Sequence, residues 1–139
     1  MTTWVLDASA VLRYLDHEAG WEKVETLFAA HIESHCLVAI SAIQWGEIAG
    51  RIRKRSGQFR QNETMKALET MELHIVDITA HRAQHAAAIK VDYKIPYAEA
   101  FAVELALDSP EHILVTADYD FKQVEKEIRI EFLPAKASD

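Results

Sequence analysis

The sequence predicts an α/β fold: a central, mostly parallel sheet of four to five strands flanked by helices. Two observations predict it. Short apolar runs of strand length are separated by longer segments whose apolar residues recur at helical spacing. Gly and Pro are few, and no linker, internal repeat or low-complexity stretch interrupts the alternation. Strands alternating with helices connect as crossovers, giving a parallel sheet covered on both faces. The length of 139 residues suits one domain over residues 1–139, with a core of about 3–133.

Each element follows from its residues. Thr3–Leu6 reads as the first strand, then a helix pair over about Ser9–Leu15 and Ala19–Ser34. Cys36–Ile40 is the second strand. Ser41 with Gln44 three residues on has the form of a capping box, opening a helix that runs to about Arg55 and stops near Gly57. Another helix covers about Asn62–Met71, and Leu73–Val76 is a short strand. Thr79 caps a helix reaching Tyr93, and Pro96 suits the first turn of the next, where its missing N–H costs nothing. Ile113–Thr116 is a further strand, Asp118 or Asp120 opens a short helix, and Arg129–Leu133 is the last strand-like run.

Half the residues are hydrophobic, which excludes a disordered chain. No apolar run approaches the roughly 20 residues of a membrane span. The start, Met1-Thr2-Thr3, has no signal-peptide pattern, and Cys36 is the lone cysteine, so no internal disulfide forms. A soluble, cytoplasmic protein is the expectation. The net charge of −7 argues against nucleic-acid binding, yet Arg51, Arg53, Lys54, Arg55 and Arg60 crowd one stretch. They form either a solvated helix end or a surface that grips a phosphate backbone.

Four distant acids carry the functional reading. Asp7 and Asp118 follow the first strand and the Ile113–Thr116 strand, where the crevice of an open parallel sheet lies. Asp7 is a helix N-cap or a site carboxylate; Ser9 offers a second cap or a holder of water. Glu47 falls beside Ile43, Gly46 and Gly50, off the main apolar face, as a solvated glutamate would. The two glycines each weaken a helix by roughly 1 kcal/mol relative to Ala, which close approach by a backbone or ligand would explain. Glu99 is more telling, because Ala102, Val103 and Ala106 lie on its stripe. A half-buried carboxylate there must be paired, protonated or bound to a cation, unless it serves only the helix dipole. Glu104 falls on another face and reads as solvated. Asp120 reads as a cap or outer group, with a lesser claim as a ligand.

Such acids repel one another unless a cation sits among them. All-oxygen donors favour Mg²⁺ or Mn²⁺, and hydrolysis of a phosphodiester is the first reaction to test. In that reading Asp7, Glu99 and Asp118 hold the ion, Glu47 completes the site through a second ion or the attacking water, and Thr116 and Ser9 position waters. Arg51, Arg53, Lys54 and Arg55 are the candidates for gripping RNA. The histidines at 31 and 35 and at 81 and 85 lack the partners of a zinc site, no glycine loop cradles a phosphate, and no nucleophile elbow is present.

Four segments, Val5-Leu6-Asp7-Ala8-Ser9, Ser41-Ala42-Ile43-Gln44-Trp45-Gly46-Glu47-Ile48, Ile95-Pro96-Tyr97-Ala98-Glu99-Ala100-Phe101-Ala102 and Leu114-Val115-Thr116-Ala117-Asp118-Tyr119-Asp120-Phe121, together resemble a PIN domain, most closely a VapC-type toxin of a toxin–antitoxin pair. The resemblance covers about residues 3–133 and departs at Glu99, where the family usually has Asp. It implies a three-layer α/β/α fold, a Mg²⁺- or Mn²⁺-dependent endoribonuclease, a VapB-like antitoxin and a homodimer. Rival readings are a DNA nuclease, a phosphatase-like or receiver-like Mg²⁺ protein, and a non-catalytic module whose acidic pocket takes a basic segment of a partner.

Overall fold

The computed structural model describes residues 1–136. Five strands, β1 (Thr3–Leu6), β2 (Leu37–Ser41), β3 (His74–Val76), β4 (Ile113–Thr116) and β5 (Arg129–Phe132), pair in the order β3-β2-β1-β4-β5, and every pairing is parallel. Five α-helices connect or flank them: α1 (Ala8–Asp16), α2 (Trp21–Ile32), α3 (Ala42–Glu69), α4 (Ala80–Tyr93) and α5 (Tyr97–Ala106), with a 3₁₀ turn at Tyr119–Val124. Among the described residues no helix is long and apolar enough to cross a membrane.

The alternation of strand residues builds the three layers. Leu6, Val38, Ile40 and Val115 face α1, α2 and α3, while Val5, Ala39 and Leu114 face α4, α5 and the 3₁₀ turn. A parallel sheet buried on both faces needs such apolar residues at successive positions. The expected α/β/α architecture is present. From β1 the chain winds outward to β2 and β3, then returns past β1 to β4 and β5. The winding therefore reverses between β1 and β4, and at a reversal the flanking connections diverge and leave a crevice at the carboxyl ends of the strands.

Local chemistry sets the helix limits. Asp7 caps α1 by accepting from the Ala10 amide, and Thr79 caps α4 by accepting from Arg82. His17 closes α1 in the left-handed region (φ 50°). Gly20, also left-handed at φ 90°, starts α2 where an added Cβ would stand 2.9 Å from Leu133 Cβ. The expected stop at Gly57 is a break inside α3, with φ 88° and ψ 176°. Helix resumes at once rather than at Asn62.

Three expectations are corrected. Ser41 stands at the N-cap of α3 as expected, but no capping box forms: its buried hydroxyl makes no hydrogen bond, and the Gln44 side chain, which would reach back to the Ser41 amide, instead bonds two distant backbone segments. No backbone approaches Gly46 or Gly50, and an added Cβ at either would meet no protein atom within 4 Å. Glu104 is buried at 3 % exposure rather than solvated, where it accepts from Arg82, which also grips Asp108 with both terminal nitrogens. Burial still raises the Glu104 pKa despite that partner. The pair compensates for burial without overcoming it, as is usual for an interior ion pair.

Candidate active site

Asp7, Glu47, Glu99 and Asp118 line one cleft of about 330 Å³ at the β1–β4 reversal. Asp7 arrives directly from β1, and Asp118 lies two residues beyond β4. Glu47 rises exposed from the second turn of α3, and Glu99 sits half-buried in the first turn of α5. The helix starts of α1 and α5 and the start of the 3₁₀ turn all present acids, where their dipoles favour negative charge.

Asp7 is the best-held member. It is buried, and its Oδ1 accepts from the Ala10 amide at 2.9 Å and from Ser9 Oγ at 2.8 Å. Its Oδ2 accepts from Thr116 Oγ1 at 2.6 Å. Both hydroxyls have their lone pairs engaged from behind: the Ala117 amide donates to Ser9 Oγ, and the Asp118 amide donates to Thr116 Oγ1. Their protons are thereby aimed at Asp7. Ser9 and Thr116 thus couple the Asp7 carboxylate to the backbone just beyond β4. Asp7 both caps α1 and lines the cleft.

Burial pushes the Asp7 pKa up to about 6, with nearby Asp118 adding to the rise and the three hydrogen bonds opposing it. Glu99 is pushed up to about 7, first by burial and then by Asp118, which repels its charge and favours the protonated form; Asp120 and Asp7 add further repulsion. Glu99 Oε2 is buried without a hydrogen-bond partner. Asp118 accepts from the Asp120 amide, so Asp118 is the cap and Asp120 stands exposed outside the cleft wall.

An orphaned carboxylate oxygen, mutual repulsion and an all-oxygen donor set fit a hard divalent cation. Among the described residues, no group of three or more His, Cys, Asp or Glu side chains has the arrangement of a formed metal site. The acids thus share a cleft without standing in a closed ligand shell. His31, one of the paired histidines, is engaged by backbone: its Nδ1 accepts from Val38 and its Nε2 contacts the Glu72 carbonyl.

Of the basic run, Arg51 alone lines the acidic cleft. Arg55 is bonded to Asp16 through two nitrogens at 3.0 Å, and Arg53 donates to Gln61. Lys54 is exposed and outside the cleft wall. A second groove of about 420 Å³ adjoins the cleft and shares Ser9, Leu12, Arg51 and Asp118 with it. A slightly larger hollow, about 440 Å³, lies by the end of α5 and the start of β5, where charges of both signs alternate on turns. Convergent acids, not volume, single out the cleft. The sequence did not reveal Gln44 as a cleft residue: its partners, Ala8 and Ala98, lie 36 and 54 residues away.

Comparison with known proteins agrees with the fold. A family model described as the PIN domain matches residues 4–127. A search of curated proteins returns no match. Among solved structures, VapBC2 from Rickettsia felis bound to a promoter DNA fragment superposes with TM-score 0.71 at 16 % identity, covering 95 % of this chain and 99 % of that one. VapC20 of Mycobacterium tuberculosis, a toxin that cleaves the sarcin–ricin loop, gives TM-score 0.71 at 16 % identity, covering 94 % and 99 %. A toxin–antitoxin complex from Klebsiella pneumoniae gives 0.67 at 20 % identity, covering 94 % and 98 %. These likenesses establish a common fold, and with the family model spanning β1 to the end of the 3₁₀ turn, the chain belongs to the PIN domain family.

Proposed function

We propose that this protein is a Mg²⁺- or Mn²⁺-dependent endoribonuclease that acts as the toxin of a toxin–antitoxin pair. The observation that carries the reading is the convergence of Asp7, Glu47, Glu99 and Asp118 on one cleft at the sheet's reversal. PIN-family membership and VapC-like folds support nuclease chemistry.

Asp7, Glu99 and Asp118 would hold the cation. When bound, it supplies positive charge that offsets the charge growing on the phosphate and eases removal of a proton from water. Asp7 enters with its orientation fixed by Ser9, Ala10 and Thr116, so it needs no reorganisation. Glu99 must lose its proton to take part. Glu47, exposed at the lip, accepts the proton of the attacking water or shares a second ion. Arg51 meets the phosphate from the same helix, one turn further on. In-line attack leaves a 5′-phosphate and a 3′-hydroxyl. An antitoxin of the VapB kind would block the cleft, a basic side chain replacing the cation among the acids. A homodimer and a cytoplasmic setting accompany this reading.

The test is purified protein with Mn²⁺ against total RNA and DNA in parallel. RNA cleavage that EDTA stops is expected. Asp7→Asn and Asp118→Asn should each lower the rate by at least about 100-fold, the upper end of effects seen when a metal's immediate surroundings are altered. Glu99→Asp should retain activity. Equal cleavage by wild type and both asparagine variants refutes the assignment.

A further inference from the structure

Gln44 occupies a position that neither helix propensity nor core packing explains. It is polar, only 3 % exposed, and in the first turn of α3. Its Oε1 accepts from the Ala8 amide at 2.7 Å, and its Nε2 donates to the Ala98 carbonyl at 2.6 Å. Ala8 follows Asp7, and Ala98 precedes Glu99. One planar amide therefore ties together the two backbone segments that present these acids. The helix it belongs to carries Glu47 three residues later.

The separation it spans is one that charge opposes. Asp7 and Asp118 both repel Glu99, and α5 starts at Pro96 without a side-chain cap to anchor it. The Ala8 amide is one of the N–H groups that a helix start leaves unpaired, so Gln44 also satisfies a donor the fold must account for. Only a neutral group with one acceptor and one donor makes both bonds without adding a charge; a carboxylate would meet the Ala98 carbonyl lone pair to lone pair.

We propose that Gln44 is a positioning residue that sets the distance between Asp7 and Glu99 and so builds the cation-binding geometry of the cleft. The inference rests on the metal-dependent reading above. It assigns Gln44 no contact with substrate.

The experiment is Mn²⁺ titration by calorimetry of wild type and Gln44→Met, which keeps the volume and removes both bonds. Circular dichroism confirms the fold, and amide exchange follows the Ala8 N–H. Gln44→Met should weaken Mn²⁺ binding by about 10–100-fold, release Ala8 protection, and lower kcat on RNA with KM unchanged. A folded Gln44→Met that binds Mn²⁺ as wild type does overturns the brace and leaves the nuclease reading intact. Failure of wild type itself to bind Mn²⁺ overturns both. Gln44→Glu decides the matter should the methionine variant not fold. Its carboxyl keeps the Ala8 bond and regains a donor toward Ala98 only when protonated. Mn²⁺ affinity relative to wild type should therefore rise as pH falls, and a ratio independent of pH overturns the proposal.

Discussion

Asp7 is pulled two ways. Burial favours its neutral form, while two hydroxyls and an amide favour the ion, and burial prevails. Glu99 has no such donors in compensation and rises further. The sign of the pH effect follows. Each acid keeps a proton in the folded protein that the unfolded chain releases near the ordinary value of 3.8 for Asp or 4.5 for Glu. The resulting stability is full below that range and is lost as pH rises through about 6 for Asp7 and about 7 for Glu99. Metal-free protein should melt at a higher temperature at pH 5 than at pH 8, and Glu99→Gln should flatten that difference; thermal scans on both proteins check it. Added Mn²⁺ should stabilise most at the higher pH, where both carboxylates are free to bind it. Asp7 and Asp118 are legible in the sequence because each follows a short apolar strand. Glu99 is legible because its helical stripe is apolar. Gln44 is not, since nothing in neighbouring residues marks a bond to a segment 54 positions away.

Helices and strands show where local pattern suffices. The strand positions and the caps at Asp7 and Thr79 follow from the sequence, because their causes are neighbours in the chain. The capping box at Ser41 and Gln44 and the solvated Glu104 are read wrongly because tertiary partners outweigh local pattern: Gln44 is drawn off by Ala8 and Ala98, and Glu104 by Arg82. Arg82→Ala should cost about 3 kcal/mol, since it strands a buried carboxylate, while Glu104→Gln should cost far less; urea melts distinguish them. The glycines separate in the same way. Gly50→Ala, on the open side of α3, should stabilise by up to about 1 kcal/mol. Gly20→Ala should destabilise, because its left-handed backbone and the Leu133 contact both resist a methyl group. Parallel thermal scans of the two variants give the comparison.

Across the whole molecule, the net charge of −7 conceals an uneven distribution. The acids of the cleft face a rim on which Arg51 stands, with Arg13, Arg55 and Lys136 lining the adjoining groove. Arg13 donates to two carbonyls, while Arg55 and Lys136 are paired with Asp16 and Glu18. Arg51→Ala in an Asp118→Asn background should weaken RNA binding across sequences and reduce the salt slope by about 1, whereas Lys54→Ala should leave the slope unchanged. Fluorescence anisotropy over a salt series gives both slopes. The parallel order of the sheet was foreseeable from alternating elements, but the reversal between β1 and β4 is a property of the closed fold, written in no single segment. Asp7 stands at that reversal as cap, hydrogen-bond hub and cleft wall together. The four acids of the cleft are therefore unequal in what the fold asks of them: replacing Glu47, which juts into solvent, touches the cleft alone, whereas replacing Asp7 also disturbs a helix cap and the bonds of two hydroxyls.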